Sequence, residues 1–158
     1  MQNKRFTVAE ANETLPQIES IFERLETKKA ALGHHVQKIH VLDALWGEEV
    51  NQLNNPDHDD FQQHCRRIGY LKEDILQIIE DDLLALGVHF PQGGLEHGLI
   101  DFPTTLEGRW VLLCWKRGES KVRYWHEVDG GYAGRQKISD EHAITMGSDD
   151  AGEYPSEV

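Results

Sequence analysis

From Leu15 to Leu53 the chain alternates steps of three and four between Leu15, Ile18, Phe22, Leu25, Lys29, Leu32, Val36, Ile39, Asp43, Trp46, Val50 and Leu53. Only Lys29 and Asp43 in that series are not apolar. Side chains three and four apart share one face of an α-helix, so a pattern held this long predicts one long helix with a narrow seam. Asn54-Asn55-Pro56-Asp57 then breaks the pattern, with Asp57 as the N-cap of a second helix. Phe61, Cys65, Ile68, Leu71, Ile75, Ile78, Ile79, Leu83 and Leu86 give that helix a broader apolar face, and Gly87 ends it. A short connection makes the two helices antiparallel neighbours.

The register of such a hairpin places Leu86 near Leu25, Lys29 near Asp82 and Asp43 near Arg67. The two seam charges are then paired across the helices or reach to water. Leu15, Ile18, Ile21 and Phe22 extend beyond the partner helix. A bare apolar stripe needs cover, either from the rest of the chain or from a second copy, and a homodimer is expected. Gly33 marks a bend or a close helix crossing. Upstream, Thr7 and Glu10 form a capping box. Pro16 lacks an N–H and clashes with a preceding helical turn. The expectation is therefore a short helix over residues 8–13, Thr14 as a new cap, a long helix over 15–53 and a third over 58–86.

Beyond Gly87 the chain changes character, with Pro91, Gly93, Gly94, Gly98, Pro103 and Gly108 as punctuation. Leu99-Ile100-Asp101-Phe102 reads as a possible short strand, Arg109 to Lys116 as a strand buried on both faces, and Val122 to Val128 as its hairpin partner. The fold class is mainly α with a small β appendage: a long antiparallel helical hairpin (1–87), a small β module (88–138) and an acidic tail (139–158). The tail holds six acids and no Lys or Arg, which predicts disorder.

The net charge of −12 disfavours phosphate-driven nucleic-acid binding and docking on anionic lipid. The longest apolar run, Trp110 to Trp115, has six residues, against the roughly 20 of a membrane span. The N-terminus lacks the apolar core of a secretory signal, and Cys65 and Cys114 form no disulfide framework or CxxC pair. A cytoplasmic protein with reduced thiols is expected.

Chemistry concentrates around Asp101, His126, Glu127, Asp129 and Arg135. On a regular strand His126 and Glu127 point to opposite faces, so they hold one metal ion only across a bulge; they are weak metal candidates. Glu127 and Asp129 share a face, and Asp101 joins them if its strand pairs alongside. The structural reading pairs Glu127 or Asp129 with Arg135 or Arg123, pinning the glycine loop. His126 could act as an acid or base, but no nucleophile accompanies it. The Gly130–Arg135 loop offers N–H groups and a guanidinium to an anion, although glycine clusters are usually turns. Trp110, Trp115 and Trp125 at strand spacing are core residues before they are a stacking platform, and helix capping explains most of the Asp57–Asp60 run.

The segments FTVAEANETLP (6–16), GLIDFP (98–103), LCWKRGE (113–119) and YWHEVDGGYAGRQ (124–136) make the chain resemble an uncharacterised bacterial family, domain of unknown function 2203. The resemblance covers nearly everything except the tail. It implies an architecture and a signature set of Asp101, Trp115, Trp125, His126, Glu127, Gly134 and Arg135, but no reaction and no cofactor. Two functions follow. One is a non-enzymatic interaction protein dimerising through its hairpin, with an unknown protein partner. The other is a small-ligand, metal-binding or hydrolytic protein with its site around Asp101, His126, Glu127 and Arg135.

Overall fold

The computed structural model describes residues 3–155. It is an α+β protein made of long helices and a four-stranded antiparallel sheet. Helix α1 spans Val8–Trp46 and continues as a 3₁₀ turn over Gly47–Asn51. Helix α2 spans His58–Gln77 and runs on through a π-helical stretch, Ile78–Leu83, and a 3₁₀ turn, Leu84–Leu86. Gly87 ends it in the left-handed conformation, at φ 88°. Strands β1 (Leu99–Leu106), β2 (Arg109–Lys116), β3 (Tyr124–Glu127) and β4 (Gln136–Lys137) form a meander in that order, and α3 follows at Asp140–Thr145.

The chain divides into two compact units, one from the start to Ser20 together with Leu83 onward, the other Ile21–Asp82. The expected division fell near residue 87, whereas here the first turns of α1 group with the sheet. Val122 N–H donates to Asn12 Oδ1 at 2.7 Å, and the Phe6 and Phe102 rings meet edge to face with centroids 5.2 Å apart.

Helix α1 starts as expected. Thr7 Oγ1 accepts from the Glu10 N–H and Glu10 Oε1 from the Thr7 N–H, at 3.1 and 3.2 Å. The break at Pro16 does not occur, however: Pro16 lies inside one continuous helix. A proline there removes a single backbone bond, which the burial of Leu15 and Ile18 on its flanks offsets. Thr14 is no cap, since its hydroxyl donates to the Glu10 carbonyl within the helix. The stripe of Leu15, Ile18, Ile21 and Phe22 is not bare either, because all four side chains are buried within the single chain. Leu15 shares a cavity wall with Trp115 of β2. The stripe therefore needs no second copy to cover it.

In the Ile21–Asp82 unit the seam runs through Leu25, Lys28, Leu32, His35, Ile39, Leu42 and Trp46, while Lys29 and Asp43 are exposed. The seam keeps the seven-residue repeat and the shared positions 25, 32, 39 and 46, but takes residues 28, 35 and 42 in place of the expected 29, 36 and 43. Asp82 accordingly pairs with Arg24 at 2.8 Å and Asp74 with Lys28 at 3.0 Å, in place of the expected Lys29–Asp82 pair. His35 Nδ1 and His64 Nδ1 meet across the helices at 2.8 Å. Desolvation, then His64, His34 and Arg67, keep His35 below its usual range. A Cβ on Gly33 would meet no atom within 4 Å, so this glycine marks no close crossing. Asp57 stands at the N-cap position, but its carboxylate is taken by Trp46 Nε1 at 2.8 Å.

In the sheet unit, β1 is longer than expected and buried along its whole length. Pro103 sits inside it, paired with Leu112, and its carbonyl accepts from the Phe6 N–H at 2.8 Å. Proline is tolerated on an outer strand of a sheet, where fewer N–H groups are needed.

The acidic segment is ordered as far as it is described. Ser139 caps α3, Met146 is 1% exposed, and the Gly147 N–H donates to the Thr105 carbonyl. Gly147 has φ 85°, and a side chain there would collide with the Phe6 carbonyl. Thr105 Oγ1 and Arg5 Nη1 both donate to the Asp149 carbonyl, and Trp110 Nε1 donates to that of Gly152. The Tyr154 ring stands against Trp110 and His89. Disorder is thus corrected for residues 139–155; the last three residues lie outside those described. The segment is held by its backbone carbonyls and one methionine, which a count of charges does not register. No described helix is long and apolar enough to cross a membrane.

Candidate functional site

The register of the meander brings three chemically distinct side chains to one face. Asp101 on β1 lies directly opposite Cys114 on β2, and Cys114 lies opposite Tyr124 on β3. His126, two residues past Tyr124, returns to the same face of the sheet. One ligating atom from each of Asp101, Cys114 and His126 falls within 4.8 Å of the other two, and all three residues are buried.

His126 Nε2 is 3.0 Å from Asp101 Oδ1, and its Nδ1 is 2.7 Å from the Glu127 carbonyl. Both partners are acceptors, so the ring donates from both nitrogens and is an imidazolium. Burial alone would lower its pKa. The hydrogen bonds to Asp101, Cys114 and the Glu127 carbonyl outweigh that, and it is pushed up to about 10. Asp101 and His126 thus form a buried ion pair with a thiol beside it.

The other expected site residues are elsewhere. Glu127 is on the opposite face, held by Arg109 through Nη2 at 2.6 Å and Nε at 3.2 Å. That guanidinium keeps the Glu127 carboxyl below its usual range. Asp129 is exposed in the turn after β3. Arg135 pairs with neither acid: its Nη2 donates to Glu119 Oε1 at 2.6 Å and to the Cys114 carbonyl at 3.2 Å. Its guanidinium also lies over the Tyr124 ring, 4.1 Å from the centroid. The expectation that Glu127 or Asp129 pins the glycine loop through Arg135 is therefore corrected. The acid that does so is Glu119, in the turn after β2, where its other bonds fix the chain: Oε1 accepts from the Lys116 N–H and its carbonyl from Trp115 Nε1.

Cys114, Glu119 and Arg109 are the residues that sequence reasoning missed. The pleat of β2 could have placed Cys114 opposite Asp101, had the β1 register been legible.

The Arg135–Glu119 pair is mostly buried, so Arg135→Ala should cost on the order of 1–3 kcal/mol. Glu119→Ala should cost a similar amount, and the double mutant less than the sum. Chemical denaturation checks this: coupling of Arg135 to Glu127 instead of Glu119 would contradict the geometry.

Residues 4–138 match the family described as Uncharacterized conserved protein (DUF2203). No curated protein and no solved structure matches the chain.

Proposed function

Since the chain belongs to the uncharacterised family DUF2203, its activity has to be argued from its own geometry, and we propose that it is a non-enzymatic interaction protein whose helical hairpin associates with a second copy. The observation that carries this reading is the thin cover of the hairpin. Helix α2 has no fully buried residue along its 20 positions, although Phe61, Cys65, Ile68, Leu71 and Ile75 line one face. Two helices alone bury such faces incompletely, and a further helical layer completes the core, as in four-helix bundles. Val41, Leu45, Tyr70 and Leu76 of the same unit are more than half exposed. A second hairpin supplies apolar surface of the same kind, which favours a like partner over a charged one.

The absence of catalysis in this reading rests on His126. Nε2 is engaged by Asp101 and Nδ1 by the Glu127 carbonyl, so the ring offers neither nitrogen to a substrate in this arrangement. The acidic balance favours a protein partner over nucleic acid, and two unpaired cysteines suit a reducing compartment such as the cytoplasm.

Light scattering on the purified chain tests the association. The expected mass is roughly 36 kDa, twice the 18.1 kDa of one chain. Val41→Glu with Leu45→Glu, both at exposed positions, should return it to the monomer without loss of helix. A monomer at all micromolar concentrations would overturn the reading.

A further inference from the structure

We propose that Asp101, Cys114 and His126 form a binding site for a divalent transition metal of borderline softness, zinc being the type. This goes beyond the interaction reading and does not depend on it. The site is built from three adjacent strands whose register fixes the donors, with the carboxylate and the thiol directly opposite each other on β1 and β2 and the imidazole on β3. Carboxylate, thiol and imidazole are the donor types that zinc takes, and three protein ligands are the number found where one coordination position stays open.

Two features around the donors are those expected of a metal site. His126 Nδ1 is engaged with the Glu127 carbonyl, which directs Nε2 toward Asp101 and Cys114; a carbonyl bonded to the far ring nitrogen in this way sets which nitrogen ligates. Arg135 donates to the Cys114 carbonyl at 3.2 Å, which fixes the stretch of β2 that carries the thiol. Arg135 Nε is itself buried with no hydrogen-bond partner among the described residues.

Charge balance is preserved. Without metal the cluster holds a carboxylate, an imidazolium and a neutral thiol. With metal it holds a dication, a carboxylate, a neutral imidazole and a thiolate, and two protons leave, one from nitrogen and one from sulfur. The net charge is zero in both states, so binding adds no net charge to the buried site. The hairpin's His35–His64 contact is less suited: the nearby Asp60 approaches the other nitrogen of His64, at 3.5 Å, and Arg67 and Lys28 stand beside it.

Cobalt(II) reports the donors directly. The full chain, stripped with chelator and titrated anaerobically, should develop an intense near-ultraviolet thiolate-to-cobalt band that saturates at one equivalent and is displaced by Zn²⁺. Cys65→Ser should keep the band; Cys114→Ser should lose it, and His126→Gln should weaken cobalt binding by more than about tenfold. Circular dichroism checks that each variant is folded. If Cys114→Ser does not fold, the band retained by Cys65→Ser still assigns the sulfur, because the chain has only two cysteines. The proposal is overturned if the folded wild-type chain shows no such band with excess cobalt. It is equally overturned if the band survives Cys114→Ser or vanishes with Cys65→Ser.

Discussion

His126→Ala should destabilise the sheet unit by about 3–5 kcal/mol, because it leaves the Asp101 carboxylate buried without its cation. That is a large part of the roughly 5–15 kcal/mol that a domain has in total, so the variant should sit close to unfolding at physiological temperature. Asp101→Ala should cost less, since an unpaired imidazolium can shed its proton and become a neutral ring. The double mutant should be well short of additive, because both single changes break one pair. The contribution also has a defined pH window. The folded pKa of His126 is raised from the ordinary histidine value of 6.5 to about 10. The stabilisation is therefore complete below the unfolded value and is lost as pH rises through the folded one. Denaturant titrations at neutral and alkaline pH check both points; a cost under about 1 kcal/mol for His126→Ala would contradict the buried pair.

The second large effect concerns the acidic segment. Ending the chain after Ile138 removes Met146 from a fully buried position and uncovers the Thr105 hydroxyl and the Trp110 indole N–H, which donate to Asp149 and Gly152 carbonyls. Loss of a buried methionine side chain alone costs about 2–5 kcal/mol. At 2–4 °C per kcal/mol for a chain of this size, the melting temperature should fall by at least about 4–8 °C. A melting temperature unchanged within a degree would show that the segment contributes nothing.

Helical structure was legible wherever one local signal sufficed. The capping box of Thr7 and Glu10, the break at Asn54–Asp57 and the stop at Gly87 are short-range chemistry, and each stands where the sequence indicated. Pro16 misled because its penalty is local, whereas the burial that overrides it comes from residues far away in sequence. The seam lies at Lys28 and Leu42 instead of Lys29 and Asp43 because positions three and four away from a seam residue both flank its stripe, and only the packing of the second helix decides which of them is covered. Pro103 similarly disguised β1, since a proline reads as a stop unless the strand is known to lie at an edge.

The candidate site was half legible. Asp101 and His126 were singled out, and they do meet; Cys114 was not, because it joins them only through the β1–β2 register. Arg135 was singled out with the wrong acid. Glu119 lies in a turn whose path depends on the same register, and no spacing rule connects the two positions.

The central claim, that His126 is a buried imidazolium donating from both ring nitrogens, is open to one direct measurement. Nitrogen-15 spectra of the imidazole in the metal-stripped protein at neutral pH should show two protonated nitrogens on His126, one of them lost as an ion-pair donor in Asp101→Asn. A neutral ring with one bare nitrogen, titrating near the ordinary histidine value, would contradict it.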